Sequence, residues 1–269
     1  MIKVLITGGN GNLAKIIKNN LDVYYSISNP SRQELDLLNT NQLTEYLNVN
    51  KFDVLIHTAI LGGRRTKEDS SDVFYKNAQM FENVLMFHDR FKMIINLDSA
   101  AIYDRATDIY LRKESDFLTV PKDYYGFSKY LIYKRGIQYE KFYNLRIFNV
   151  FHQNEEPDRF IALCKQVEKT DKRLTIQDDK FFDFFHEKDF VAVLKHYIDN
   201  IENLGILEKT INLCYETKYK LSQIAEMIIT DRSKIIILNE NSSNNYCGDN
   251  ALLKKMKILH NNDLTTILF

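Results

Sequence analysis

Tyr125 and Lys129 stand four residues apart in DYYGFSKY, residues 123 to 130, so on a helix they share one face. An ammonium beside a phenol stabilises the phenolate and lowers its pKa, which lets a tyrosine give up or accept a proton nearer neutral pH. In a chain with 16 tyrosines the same spacing also fits a wet helix face, so the neighbourhood has to decide. Upstream, LDSAAIYD places Ser99 at the end of an apolar run, where its hydroxyl could hold a substrate carbonyl in line. TGGNGNLA, residues 7 to 14, follows the first apolar run, KVLIT. Gly8 and Gly11 allow a tight turn and close backbone approach, and the helix start behind them offers unpaired N–H groups to a pyrophosphate. Ala14 stands where a third glycine could be and is small enough for close packing of helix on strand.

A glycine loop of this kind leads, about 20 residues on, to an acid that bonds the ribose 2′-hydroxyl. Here the second strand runs into SISNPSRQELD with no acid at its tip. Arg32 lies just beyond, where a guanidinium pairs with a 2′-phosphate, so NADP(H) is favoured over NAD(H). A solvated loop arginine is the alternative.

Those residues need elements to hold them. The first 150 residues alternate strand-like and helix-like segments, the pattern of a parallel sheet with crossover helices. The strands are KVLIT, VYYSIS, FDVLIHTA, KMIINL and NLRIFNV, and the helices are NLAKIIKNNL, TNQLTEYLNVN, SSDVFYKNAQMFENVLMFHDRF and the segment from Tyr125 to about Tyr143. After Val150 the alternation weakens. PDRFIALCKQVEK, KDFVAVLKHYIDNI, LSQIAEMIIT and a terminal segment near ALLKKMKIL read as helices, RLTIQ, KTINLCY and KIIIL as strands, and NENSSNNYCGDN as a loop. The expected fold is α/β: a Rossmann doubly wound parallel sheet over residues 1–150 that binds NADP, and a smaller carboxy-terminal α/β domain over 151–269, partly interleaved with it, that binds the substrate.

The composition narrows the class. With 36 basic and 36 acidic residues the net charge is zero, and nothing points to nucleic acid or an anionic membrane as partner. The apolar share of 45% is that of an ordinary globular chain. The amino terminus breaks at glycines, unlike a signal peptide, and no run is long enough to span a bilayer, so the expectation is a cytoplasmic protein. Cys164, Cys214 and Cys247 lie far apart with no CxxC pair, which suggests neither a disulfide framework nor a metal site.

Taken together the motifs resemble the extended short-chain dehydrogenases/reductases, the NAD-dependent epimerase/dehydratase family that works on nucleotide sugars. The resemblance runs nearly the length of the chain, through TGGNGNLA, ELDLLN, FDVLIHTA, Asn77 in FYKNAQ, Ser99, YGFSK, LRIFNV and FDFFHEKDF. Within the family, SRQELDLLN, HTAILGGR, VFYKNAQMFENVL and LDSAAIYD resemble segments of the GDP-fucose synthase branch, in order. The resemblance implies a catalytic triad of Ser99, Tyr125 and Lys129. It implies cofactor contacts from Gly8, Gly11, Asn12, Leu13, Arg32, Asp36, Leu37 and Ala59 besides Tyr125 and Lys129, and substrate contacts from Ser99, Ala101, Asn149 and Arg159. It also implies a homodimer that pairs the helices at 71–89 and 125–142.

The GDP-fucose synthase branch epimerises beside a ketone with a cysteine and a histidine, then reduces the ketone with NADPH. The positions matching that pair are Ala101 and Arg159 here; alanine moves no proton, and arginine stays protonated. The resemblance therefore implies an NADPH-dependent reductase of a nucleotide-linked 4-keto, 6-deoxy sugar for surface glycans, with the epimerising half missing. Dehydratases of the family carry an Asp-Glu pair beside the serine or threonine, and SAA at 99–101 has no such acids. A nucleotide-sugar epimerase or epimerase/reductase remains open, since a 4-epimerase needs only the serine, tyrosine and lysine. A non-catalytic dinucleotide-binding sensor is a third reading, against which Tyr125 and Lys129 argue. The chain departs from the family at Phe182, where an arginine for the substrate diphosphate is usual; Arg159, Arg173 and Lys180 are the candidate replacements. His186 in FFHEKDF matches a histidine that is more often structural than catalytic.

Overall fold

A computed structural model describes residues 1–64, 68–240, 244–259 and 263–268. In chain order the first elements are β1 (Lys3–Ile6), α1 (Asn12–Leu21), β2 (Ser26–Ser28), α2 (Thr40–Val49), β3 (Val54–His57), α3 (Ser71–Leu85), β4 (Met93–Ser99), β5 (Ile109–Arg112), α4 (Tyr124–Gly136) and β6 (Phe142–Ile147). Then follow β7 (Val150–Phe151), α5 (Phe160–Glu168), β8 (Leu174–Asp178), β9 (Phe185–His186), α6 (Glu187–Asp199), β10 (Thr210–Leu213), α7 (Leu221–Ile228), β11 (Ile235–Asn239), β12 (Tyr246–Gly248) and α8 (Ala251–Lys255).

Six strands form a central sheet in the order β10-β6-β4-β3-β1-β2, and β1 pairs in parallel with β2 and β3, as β3 does with β4. All four residues of β3 are buried, which is why VLIH reads as a continuous apolar run and not as an alternating one. The chain passes from β1 out to β2 and then back across to β3. The direction of winding therefore reverses between β1 and β3, and the carboxyl ends of these two strands frame the crevice where open α/β sheets take ligands.

The chain groups into two units. The first holds residues 1–104, 117–146 and 191–211 and contains most of the sheet with α1 to α4. Leu5, Leu55, Phe81, Ile94, Ile132 and Phe142 are among the buried residues that join helices to sheet in its core. Asn39 and Asp123 start α2 and α4 by accepting the N–H groups of Gln42 and Gly126, the pattern expected of N-caps. The second unit holds residues 105–116, 147–190 and 212–269. It contains three parallel two-stranded pairs, β8 with β11, β5 with β12 and β7 with β9. Cys164, Val167, Leu174, Ile176, Ala225 and Ile229 form a core between α5, α7 and β8 in this unit.

The structure amends several boundaries. β12 lies inside the polar stretch read as a loop, because its three residues are held by pairing with β5 and carry no local period. The helix expected up to Tyr143 ends at Gly136, and the one expected up to Phe91 ends at Leu85 before a short 3-10 turn at His88–Arg90. The second strand keeps only Ser26–Ser28. The three cysteines are buried free thiols. Among the described residues, no helix is long and apolar enough to cross a membrane.

Candidate active site

The glycine loop is stitched to the strands on either side of it. Thr7 Oγ1 accepts the N–H groups of Thr58 and Ala59 at 3.2 and 3.3 Å, and the Thr58 hydroxyl donates to the Thr7 carbonyl at 2.6 Å. With both acceptor positions used, the Thr7 hydroxyl proton is left for His57 Nδ1, 3.1 Å away. This assigns the His57 proton to Nε2, and burial, with the Lys129 charge adding to it, pushes the ring down to about 3, so it stays neutral. Gly8 has φ +70°, and a Cβ there would stand 2.9 Å from the Ala59 Cα, so only glycine lets the loop pass the end of β3 so closely. Gly9 N–H donates to the Pro30 carbonyl at 3.0 Å.

Gly11 precedes α1 in extended conformation, with no side-chain cap on the helix and no acid in its first turn. Gly11 and Asn12 are exposed, Leu13 is half-buried and Ala14 is buried against the sheet. The first N–H groups of α1 are thus left to solvent or to an anion, an arrangement that suits a pyrophosphate. Gly8, Gly11, Asn12, Leu13 and Ala59 come together at this end of the sheet.

Arg32 and Asp36 meet each other. The Arg32 Nε and Nη2 both donate to Asp36 Oδ2 at 3.3 Å, with the arginine side chain 64% exposed. Contacts this long and this wet hold weakly, and a phosphate dianion would take the guanidinium from a single carboxylate. Asp36 also accepts the Leu38 N–H at 3.1 Å, which keeps it in the turn. The Leu37 side chain is in the core, and its carbonyl accepts Asn83 Nδ2 at 2.7 Å.

Ser99 ends β4 and accepts the Ala101 N–H at 3.2 Å, starting a 3-10 turn at Ala100–Tyr103. The first turn of α4 rests on it, so closely that a Cβ on Gly126 would lie 2.8 Å from the Ala101 carbonyl oxygen. This seating brings Tyr125 and Ser99 to the same end of the sheet. Ala101 is buried there. Lys129, one turn along α4, is buried and donates from Nζ to the Leu97 carbonyl at 2.6 Å, with Nζ 5.9 Å from the centre of the Tyr125 ring. Burial lowers the lysine to about 8, against the opposing pull of Asp98.

Two further features hold Tyr125 and were not singled out by spacing. Asn77 on α3 bonds both backbone groups of Leu61, at 2.8 and 3.0 Å, and donates to Ser128 Oγ at 3.2 Å; Ser128 in turn donates to the Tyr125 carbonyl at 2.7 Å. Asn77 thereby ties the loop after β3 to α4. On that loop Gly63 has φ +83°, and a Cβ there would stand 2.7 Å from the Tyr125 ring. A GG pair after a strand was the available signal, visible in HTAILGGR.

Asn149 and Arg159 belong to the second unit. The Arg159 Nη2 donates to Asn149 Oδ1, and its Nε lies 3.9 Å from Glu155 Oε2. Arg159 occupies the N-cap of α5 but gives it no side-chain cap; Glu155 substitutes by accepting the Ala162 N–H at 3.1 Å. Burial pushes the Glu155 carboxyl up to about 7. His186 accepts the Lys188 N–H on Nδ1 at 3.2 Å, capping the start of α6. Among the described residues, no group of three His, Cys, Asp or Glu side chains could hold a metal ion.

Residues 4–214 match the NAD dependent epimerase/dehydratase family. A GDP-L-colitose synthase from Yersinia pseudotuberculosis is 32% identical over 112 residues, a stretch that covers 40% of this chain and 36% of that protein. The matched region thus spans about a third of the relative's length. Among solved structures, a GDP-mannoheptose C4 reductase from Campylobacter jejuni with NADP bound has a TM-score of 0.82 at 20% identity, covering 99% of this chain and 96% of that one. A dTDP-4-dehydrorhamnose reductase from Clostridium acetobutylicum has a TM-score of 0.81 at 18% identity, covering 98% and 96%. A GDP-L-fucose synthetase from Naegleria fowleri bound to NADP has a TM-score of 0.78 at 14% identity, covering 99% and 90%. At these identities the structures share a fold with this chain.

Proposed function

We propose, starting from a chain that belongs to the NAD dependent epimerase/dehydratase family, that it is an NADPH-dependent reductase of a nucleotide-linked 4-keto, 6-deoxy sugar used in making surface glycans. The observation that carries this reading is the packing of the first turn of α4, which holds Tyr125, on the 3-10 turn that Ser99 starts, with the buried Lys129 one helical turn on and an uncapped helix start after β1. The names of the relatives, a colitose synthase and several nucleotide-sugar reductases, support it.

The residues present fit a dinucleotide: Gly8, Gly11, Asn12 and Leu13 would hold its pyrophosphate, Ala59 would pass beneath it, and Arg32 would meet a 2′-phosphate. When bound, NADPH supplies the hydride. The Ser99 hydroxyl orients the sugar ketone and Tyr125 gives its phenolic proton to the oxygen that becomes the alcohol. Lys129 stabilises the phenolate left on Tyr125. Ala101 and Arg159 add no proton transfer at the neighbouring carbons, and Asn149 with Arg159 would bind the sugar nucleotide.

The test is incubation with NADPH and a panel of nucleotide 4-keto-6-deoxy sugars in D2O, following NADPH absorbance and product mass. Oxidation of NADPH with no solvent deuterium on ring carbons is the expected result. Deuterium beside the ketone would favour the second reading, an epimerase/reductase, for which Glu155 is the group to examine because its carboxyl titrates near neutrality next to Arg159. Arg32→Ala should raise the KM for NADPH about tenfold and leave that for NADH unchanged; equal effects on both cofactors would remove Arg32 from the 2′-phosphate site. The same reading includes a cytoplasmic homodimer formed through α3 and α4, where Tyr75, Met86 and Ile137 are exposed.

A further inference from the structure

Behind Lys129 lies a polar cluster sealed from water. The Asp98 and Arg146 side chains are both fully buried and meet at 2.8 Å, from Arg146 Nε to Asp98 Oδ2. The same oxygen accepts Asn144 Nδ2 at 2.8 Å, and Asn144 Oδ1 accepts Asn96 Nδ2 at 2.7 Å. The guanidinium donates to the Tyr103 hydroxyl and lies 4.7, 5.3 and 5.1 Å from the ring centres of Tyr103, Phe117 and Tyr133. The other carboxylate oxygen, Asp98 Oδ1, is buried and has no hydrogen-bond partner.

A buried ion pair is costly to assemble and gains little stability over apolar packing, and leaving one oxygen unpaired adds to the cost. Its location suggests what it does. Lys129 Nζ sits on the carbonyl of Leu97, the residue next to Asp98. Among the described residues, the charged and titratable groups set against Lys129 are Tyr125 on its own helix, His57 from β3, held neutral by burial, and Asp98 from β4, with Arg146 of β6 bound on Oδ2 of that carboxylate. Of these, Asp98 alone is anionic. Burial by itself drives an ammonium toward the neutral amine, which would do nothing for a phenolate.

We propose that Asp98 is a positioning residue for the reduction, acting through Lys129: its carboxylate, anchored by Arg146 and Asn144 on one oxygen, keeps the Lys129 ammonium charged and turned toward Tyr125. The inference rests on the reductase reading for its catalytic consequence. Its electrostatic part concerns the protein alone and is measured without substrate.

The experiment follows the ionisation of Lys129 by NMR in protein labelled with 13C at lysine Cε, the resonance being assigned by its loss in Lys129→Met. In Asp98→Asn the Lys129 midpoint should fall by about one pH unit or more, roughly tenfold in ionisation constant, because the carboxylate is gone and the Arg146 charge is left facing the lysine. In Asp98→Asn with Arg146→Gln, which removes both charges, the midpoint should fall by less. The alkaline limb of kcat/KM should move down with the lysine in each variant. An unshifted lysine in either folded variant overturns the proposal, as does a shifted lysine with an unmoved limb. A Lys129 midpoint below neutrality in the wild-type protein overturns it without any variant. A wild-type protein inert toward every ketone would sink the reductase reading instead, and the lysine titration would still decide the electrostatic part.

Discussion

Replacing Tyr125 with Phe is expected to lower kcat by about 10²- to 10⁴-fold, the range that a positioned general acid supplies, while NADPH still binds. The variant loses only a hydroxyl. Helix α4 keeps its Asp123 cap, Ser128 keeps its bond to the backbone carbonyl of residue 125, and Lys129 keeps its bond to Leu97. Cofactor affinity, read from quenching of tyrosine fluorescence or from calorimetry, should therefore change little. Retained turnover in Tyr125→Phe would remove the tyrosine from the chemistry and with it the mechanism proposed above.

Gly63→Ala carries the second largest effect, and it involves no group that could move a proton. The new methyl meets two penalties at once. At φ +83° an alanine is strained by roughly 1–2 kcal/mol, and its Cβ would stand 2.7 Å from the Tyr125 ring, well inside van der Waals contact, so the loop or the ring has to give. Loop movement is opposed by the Asn77 bonds to Leu61 and by the bond from Gly63 N–H to Asp69 Oδ2 at 2.9 Å; a shift of the ring instead carries the phenol with it. A displacement of about 1 Å at a reacting group costs on the order of 10²-fold in rate. The expected outcome is a fall of that order in kcat with NADPH affinity nearly unchanged and a small drop in the thermal midpoint. Loss of cofactor binding at equal or greater magnitude would show that the loop, and not the tyrosine, had moved.

How much of this was visible in the chain depended on whether an element is specified locally or by a distant partner. β1, β3 and the start of β4 carry short apolar runs, VLI, VLI and MII, so they were readable as buried parallel strands, and the glycine loop was readable because a strand and a helix flank it. β5 and β12 were not readable: each is three or four residues long, and each exists by pairing with the other across more than a hundred residues of sequence. The Tyr125–Lys129 pair was legible from its spacing, whereas the clamp on it was not, since Asn77 and Gly63 act through Leu61 and Ser128 in three dimensions. Arg32 reads as a partner for a 2′-phosphate, and the structure pairs it with Asp36 four residues away, a contact the sequence did not announce because that spacing fits a turn as well as a helix. Asp98 did leave a trace, as the lone acid in KMIINLDS, but its partners Asn144 and Arg146 lie on a strand that begins more than forty residues later.

The strand order has a consequence for how the protein is made. β6 is bordered on one side by β4 and on the other by β10, which is not reached until residues 210–213. A ribosome adding about 5–20 residues per second takes several seconds to get from the end of β6 to β10. For that interval the nascent sheet carries β6 with one bare edge, a template for pairing with another chain. A fragment ending at residue 150, a natural place to cut if the sheet is taken as a separate domain, would keep that edge bare permanently. It would be expected to aggregate, whereas a fragment extended past Leu213 covers that edge of β6 with β10.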